Sequence, residues 1–260
     1  MLVGSRTPTP RTQEPEEFRR LKSEFLAGVN HEIRTPLTGI VGMADLLLET
    51  HLDAHQRDYV LAARTCAEQT LEQLSAVLEF SELVAGHLRL EESIFDVQEL
   101  LESVVVEMDS EAQARGVRLI LTVWEPLPGL AFGDALRLHQ VLVHLLANAI
   151  KFTPHGEIEL LAAWTPESPE QFRLGVALRD TGIGIPTDQL QHVFESFHQV
   201  ESGLARRYSG LGLGLALVQE LVHLMGGEVV ADSSPGHGAV VSFWIPLAVC
   251  EAGATLPPQP

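Results

Sequence analysis

Phe25-Leu-Ala-Gly-Val-Asn-His-Glu-Ile-Arg-Thr-Pro-Leu37 reads as one part of a long amphipathic helix. Around it, Leu21, Phe25, Ile33, Leu37, Ile40, Ala44 and Leu47 recur at spacings of three, four or their sums, the period of a single helical face. The pattern holds over about residues 16–49 and breaks at a short polar stretch, 50–54. A second helical stretch then runs to about Gly86, with Tyr59, Ala63, Cys66, Thr70, Leu74, Val77, Ser81 and Val84 keeping a near-heptad step. Two long helices joined by a short loop predict an antiparallel hairpin. Each apolar stripe is too long for one partner to cover, so the hairpin is expected to form a homodimeric four-helix bundle.

Beyond Gly86 the pattern shortens. Residues 87–95 read as an extended linker and 96–114 as a helix. Strands are expected near 117–123, 157–163, 172–179, 228–231 and 239–246, and helices over 134–152, 187–194 and 212–225. The fold class is therefore α+β: a two-helix hairpin followed by an α/β sandwich with helices on one face of a mixed sheet. The expected division is a flexible tail over 1–17, the hairpin over 18–92, the sandwich domain over 93–248 and a second tail over 249–260.

The chain has 260 residues and a formal net charge of −18, from 17 basic and 35 acidic side chains. Such a surface repels nucleic acid and anionic lipid, so no nucleic-acid partner is expected, and a polyanionic ligand would need a locally built site. Cys66 and Cys250 are too few for a disulfide scaffold or a thiolate metal centre, which fits a reducing, cytoplasmic setting. No apolar run approaches the ~18 residues needed to span a bilayer. A sensor domain, if there is one, is expected to lie outside this chain.

On the first helix, His31 shares its face with Glu24, Ala27, Gly28, Arg34, Thr35 and Thr38, all polar or small. It is thereby turned to solvent with room for a large ligand. An exposed imidazole titrates near ~6.5, so its neutral, nucleophilic form dominates at neutral pH. Glu32 beside it can hold one ring nitrogen while the other attacks. Read by geometry alone, an ordinary surface histidine, one among eleven, remains the alternative.

Two glycine-rich segments follow. In Asp180-Thr-Gly-Ile-Gly-Ile-Pro186, Gly182 and Gly184 let a ligand approach the main chain, and Asp180 can accept a hydrogen bond from an exocyclic amine such as that of adenine. Gly210-Leu-Gly-Leu-Gly-Leu215 opens a helix, where free N–H groups suit a phosphate chain. Close helix–sheet packing is the competing reading of that second segment. Within 144–152, the residues His144, Asn148, Lys151 and Phe152 fall on or near one helix face. Asn148 could offer an amide oxygen to Mg²⁺, and Lys151 a charge to a phosphate. The only lysines are Lys22 and Lys151, which excludes a G-K-[ST] phosphate loop. H-R-D and D-F-G, the marks of serine/threonine kinases, are also absent.

Taken together and in order, these segments resemble the sensor histidine kinases of two-component signalling over about residues 18–247. N-H-E-I-R-T-P-L at 30–37 is similar to their phosphoacceptor box and H-L-L-A-N-A-I-K-F at 144–152 to their asparagine box. D-T-G-I-G-I-P at 180–186, F-E-S-F-H-Q at 194–199 and G-L-G-L-G-L at 210–215 resemble the first glycine, phenylalanine and second glycine boxes. The resemblance implies an ATPase domain of the gyrase, chaperone, kinase and MutL type. It implies ATP and Mg²⁺ as cofactors, with Asp180 on adenine, Asn148 on the metal, and Lys151 with Arg206 or Arg207 near the phosphates. Phe152, Gly182, Gly184, Gly210, Gly212, Leu213 and Gly214 would complete the ATP site, and the segment 196–208 would be a mobile lid. His31, Glu32 and Thr35 would carry catalysis, Thr35 by orienting water for dephosphorylation of a partner. The implied activity is autophosphorylation of His31 and transfer to an aspartate of a response-regulator receiver domain.

Three positions depart from the family pattern. His144 stands where a second asparagine is usual, and a neutral imidazole is a poorer Mg²⁺ ligand than an amide oxygen. Leu211 replaces a small or hydroxylated residue, and Asn30 a frequent serine. The first two motivate an alternative expectation, a degenerate kinase acting as a nucleotide-gated scaffold. A chaperone-like or mismatch-repair ATPase of the same superfamily is a third, against which the His31 hairpin argues.

Overall fold

A computed structural model of the chain describes residues 33–198 and 211–250. His31, Glu32, Arg206, Arg207 and Gly210 lie outside the described residues, as do the two expected tails but for residues 249 and 250. The chain divides into two compact units, Met1–His87 and Leu88–Pro260.

In the first unit, helix α1 covers residues 33–48 and α2 covers Ala54–Val84. Thr50 closes α1 by donating its hydroxyl to the Leu47 carbonyl at 2.7 Å. Asp53 opens α2 with a capping box: its carboxylate accepts the Gln56 N–H at 2.8 Å, and the Gln56 side chain accepts the Asp53 N–H at 3.1 Å. Arg34 donates to the Ser75 hydroxyl at 3.1 Å, and Arg64 pairs with Asp45 at 3.0 Å. The step from Arg34 up to Asp45 equals the step from Ser75 back to Arg64, so the helices run antiparallel, as the spacing predicts. Exposed ion pairs like that of Arg64 are worth only about 0.2–1 kcal/mol, so they set register more than stability. Among the described residues of this hairpin, only Ala44, Ala67 and Leu83 are fully buried, while Ile40, Met43 and Leu47 on one face of α1 stay exposed. One hairpin therefore has almost no core of its own.

Helix α2 stops at Gly86, whose φ of 73° puts it in the left-handed region that favours glycine. The Gly86 N–H bonds to the Leu83 carbonyl at 3.0 Å and the His87 N–H to the Glu82 carbonyl at 3.1 Å, which satisfies two of the helix's last carbonyls.

The second unit runs β1 (Ser93–Asp96), α3 (Val97–Ala114), β2 (Val117–Val123), β3 (Leu130–Gly133), α4 (Ala135–Phe152), β4 (Gly156–Ser168), β5 (Gln171–Asp180), α5 (Gly214–Leu224), β6 (Glu228–Ser233) and β7 (Ala239–Cys250). The sheet order is β1-β3-β7-β5-β4-β2, with β6 also against β7. Strands β2 and β4 are parallel and every other pair is antiparallel. Alternation sets the faces: in β5, Phe172, Leu174, Val176 and Leu178 are buried and the residues between them are less so. Helix α4, with Leu138, Val141, Leu142 and Leu145 buried, packs on β5, and α5, with Leu217, Val218 and Leu221 buried, packs on β6 and β7. Along its free side β7 pairs with β6 up to Trp244 and with β3 from Ala248. Pro246, which has no N–H to give a ladder, sits in the gap between those partners.

Asp134 caps α4, and at 4% exposure it is one of two buried polar side chains among the described residues. Its Oδ1 accepts the Arg137 N–H at 3.0 Å and its Oδ2 the Glu91 N–H at 2.7 Å. That second bond ties Glu91, in the stretch expected as linker, to the cap of α4.

Further elements differ from expectation. Residues 93–95, expected as linker, and Asp96, expected to open the next helix, form β1 on β3, and β3 itself was unanticipated; at four residues each, neither carries a legible alternation. The helix expected over 187–194 is instead a chain of tight turns around a 3₁₀ turn, Leu190–His192. There Gln189, His192, Glu195 and His198 each donate an N–H to the residue three before, at 2.9–3.3 Å. Strand β7 continues through Val249 and Cys250, expected as tail, because they pair with Ala131 and Leu130.

Candidate functional site

Asp180 ends β5, beside Ile158 of β4. Its Oδ1 accepts two backbone N–H groups, from Gly182 at 2.8 Å and from Ala239 at 3.2 Å. Burial pushes the carboxyl above the usual range, against the opposing pull of those two N–H groups. Among the described residues nothing hydrogen-bonds Oδ2, which is left as an acceptor on a carboxylate whose other oxygen is fixed.

The loop after Asp180 folds against the end of α4. A Cβ on Gly182 would lie 2.4 Å from the Phe152 carbonyl oxygen and 2.9 Å from both Asp180 Oδ1 and Thr153 Oγ1, so no side chain fits there. The other glycine of the loop serves packing: a Cβ on Gly184 would strike the Ser234 carbonyl at 2.2 Å. Sequence reading passed over a further turn, Gly236-His-Gly238, that completes this floor. Gly238 has φ 75°, and a Cβ there would lie 2.0 Å from the Asp180 carbonyl oxygen. Its neighbour Ala239 is the second donor to Asp180.

Helix α4 supplies the next wall. Asn148 is partly exposed, and no hydrogen bond within the described residues engages its amide. The amide faces the start of α5, since a Cβ on Gly214 would lie 3.1 Å from its Nδ2. His144 lies one turn earlier on α4, half-buried. Lys151, in the last turn, sets its ammonium 5.2 Å from the centre of the Phe152 ring. Burial, and then the charge of Arg115, holds that ammonium below its ordinary 10.5. Arg115 was not legible as a neighbour, since it comes from the end of α3.

Helix α5 begins at Gly214 rather than Gly212, and its N-cap, Leu213, offers no side-chain hydrogen bond. Among the described residues, no side chain caps its first N–H groups. Just ahead, the Phe197 N–H bonds to the Gly212 carbonyl at 3.1 Å; of the segment 196–208 expected to be a lid, residues 199–208 lie outside the described residues. Phe197 (φ 64°) is the one non-glycine residue with positive φ among those described. The structure thus brings Asn148, Lys151, Phe152, Asp180, Gly182, Gly212, Leu213 and Gly214 to one end of the second unit.

Two family models match the chain. The His Kinase A (phospho-acceptor) domain covers residues 21–86. The histidine kinase-, DNA gyrase B- and HSP90-like ATPase covers residues 133–249. The signal transduction histidine-protein kinase BarA of Escherichia coli K12 is 39% identical over 89% of this chain and 25% of its own. The sensor protein GacS of Pseudomonas syringae is 38% identical over 92% of this chain and 26% of its own. The chain thus spans about a quarter of these relatives. Among solved structures, full-length ShkA in complex with AMPPNP aligns with a TM-score of 0.73 and 37% identity, over 88% of this chain and 47% of that one. Among the described residues, no helix is long and apolar enough to cross a membrane. With a phospho-acceptor hairpin and a nucleotide-binding sandwich in that order, the chain belongs to the sensor histidine kinases.

Proposed function

We propose that this chain transfers the γ-phosphoryl group of ATP to His31 and passes it on to an aspartate of a response-regulator receiver domain. It does so in the cytoplasm, where ATP is supplied, as a homodimer joined through the hairpin. The observation that carries the reading is the convergence of Asp180, with one oxygen left to accept, the unengaged amide of Asn148 and the uncapped start of α5. An acceptor for an exocyclic amine, an oxygen ligand and a row of N–H donors are what an adenine nucleotide needs in succession.

Asp180 Oδ2 takes the adenine amine while Gly182 keeps the base close to the backbone. The first N–H groups of α5 and the Lys151 ammonium face the phosphates, and Arg206 or Arg207 joins them on the family pattern. Mg²⁺ fits the donor set. Among the described residues, no group of three His, Cys, Asp or Glu side chains gathers as a metal cage. Mg²⁺ keeps waters and phosphate oxygens and asks the protein for few ligands, here Asn148, with His144 a poorer second. Bound there, it would neutralise phosphate charge.

In the transfer, the lone pair of one His31 ring nitrogen forms the N–P bond. The bond from the γ-phosphorus to the β–γ bridging oxygen breaks, and ADP leaves with that electron pair. Glu32 holds the N–H of the other ring nitrogen and so favours the attacking tautomer. The receiver carboxylate then takes the phosphoryl group and frees the imidazole. Thr35, exposed on α1 one turn after His31, orients water for the hydrolysis of the phosphorylated partner. The sandwich over 93–248 is the catalytic domain of this proposal, and the hairpin over 18–92 its phosphoacceptor.

Incubation with γ-labelled ATP and Mg²⁺, beside His31→Gln, tests the reading. Acid-labile, base-stable label on the wild type alone is the expected result. Equal label on His31→Gln would refute the assignment. ATP binding with no label at all would favour the nucleotide-gated scaffold instead.

A further inference from the structure

Asp180 Oδ1 takes its two N–H donors from two different loops. Gly182 belongs to the loop that follows β5, and Ala239 opens β7 after the turn Gly236-His-Gly238. Both bonds hold only while the two loops keep their spacing, so whatever joins the loops also aims the free oxygen, Oδ2. Among the described residues, one side chain besides Asp180 itself bonds to both. Ser233 is the last residue of β6 and the partner of Ala239 in the β6–β7 ladder. Its hydroxyl oxygen accepts the Ile185 N–H at 2.8 Å and donates to the Gly238 carbonyl at 2.7 Å. A backbone bond runs alongside, from the Gly236 N–H to the Ile183 carbonyl at 2.8 Å.

The position suits a hydroxyl. One atom has to accept from the first loop and donate to the second at the same time, which a hydroxyl does and a methyl cannot. Gly238 is buried, so removing the hydroxyl leaves its carbonyl short of a bond, and a buried carbonyl in that state draws the backbone toward another donor. Gly238 and Ala239 are consecutive, so a shift of that carbonyl moves the N–H that holds Asp180. The turn has little room in which to shift harmlessly, since the Cβ position of Gly238 lies 2.0 Å from the Asp180 carbonyl oxygen.

We propose that Ser233 is a positioning residue of the nucleotide site: its hydroxyl clamps the loop after Asp180 to the turn before Ala239, and so keeps Asp180 Oδ2 aimed at the exocyclic amine of the base. Ser233 lies outside the five segments that resemble the family's boxes, and it acts through Asp180 rather than on the nucleotide. The inference rests on the reading of Asp180 as the adenine acceptor.

The test is a cycle of calorimetric titrations, ATP and ADP with Mg²⁺ into the full chain, Ser233→Ala, Asp180→Asn and the double variant. Thermal melts beside them show that each protein is folded at the titration temperature. Ser233→Ala is expected to raise the dissociation constant about tenfold, by the same factor for ATP and ADP, because both carry the same base. On the Asp180→Asn background, where the acceptor is already gone, the same change should move the constant less than about twofold. Ser233→Thr keeps the hydroxyl on a side chain suited to a strand and should bind ATP within about threefold of wild type. Were the serine merely structural, its loss would cost the same with or without the Asp180 carboxylate. Equal factors on the two backgrounds would therefore overturn the inference. So would a Ser233→Ala affinity within threefold of wild type beside a weakened Asp180→Asn. If Ser233→Ala does not fold, Ser233→Cys takes its place under the same criteria. An Asp180→Asn variant that binds ATP as tightly as wild type would instead overturn the adenine reading, and this inference with it.

Discussion

Replacing Asp180 by asparagine separates recognition from folding. Asparagine keeps Oδ1, and with it the bonds from the Gly182 and Ala239 N–H groups at 2.8 and 3.2 Å. What changes is the second position, where a free acceptor becomes an NH₂ donor facing the amine of adenine. A hydrogen bond to a charged group contributes about 1.5–3 kcal/mol. At 1.4 kcal/mol per tenfold, its loss raises the dissociation constant for ATP roughly 10- to 150-fold. The unliganded fold should not suffer. A carboxyl raised in the folded state takes up its proton before the unfolded chain does, so stability falls as pH rises through that window and the penalty persists above it. Asparagine removes that penalty.

Calorimetry at pH 7.5 with Mg²⁺·ATP, beside thermal melts, reads both quantities. An ATP affinity within threefold of wild type would refute the assignment of Oδ2 to the base. A melting temperature lowered by more than about 5 °C would refute the claim that the backbone bonds survive. A pH series adds a control: wild-type affinity should drop as pH falls through the raised Asp180 value, and the asparagine variant should lack that step.

Lys151→Met should stabilise the unliganded chain at pH 7 in urea titrations, because a lowered ammonium leaves the fold penalised at neutral pH and relieved as pH climbs toward 10.5. The same variant should bind ATP more weakly, and the gain in stability should shrink above about pH 10. Gly238→Ala forces a left-handed φ on a side chain whose Cβ meets the Asp180 carbonyl, for a cost of about 2–4 kcal/mol. Scanning fluorimetry should show the melting temperature down by roughly 5–15 °C; an unchanged melt would mean that the turn relaxes freely. The double variant Met43→Glu/Leu47→Glu charges the exposed face of α1. Light scattering should find it monomeric with ATP affinity intact, and a persistent dimer would place the interface elsewhere.

What was legible in the chain was what depends on long periods. Helices α2, α3 and α4 and the alternating strands β4 and β5 follow from side-chain spacing over ten residues or more. Strands β1 and β3 are too short to show a period and exist because each has the other as a partner. The turns over 189–198 fail as a helix because local side-chain bonds compete with it, His198 to Gln189 at 2.7 Å and His192 to Glu195 at 2.8 Å. Asp180, Asn148 and the α5 glycines were legible because their chemistry is local. The contributions of Gly238 and Arg115 were not, since each acquires its meaning from a segment distant in sequence that the fold brings near.

The way α2 ends and α4 is capped bears on how far the catalytic unit can travel. His87 is fixed by its bond to Glu82, and Glu91 by its bond to Asp134. Only Leu88, Arg89 and Leu90 lie between those two anchors. Four peptide steps reach at most roughly 14 Å. The catalytic unit is thus leashed as if to a short axle rather than to a rope. On the proposed function, bringing ATP to His31 becomes a matter of turning rather than of diffusing, and a twist of α2 would pass through three residues with little slack to absorb it.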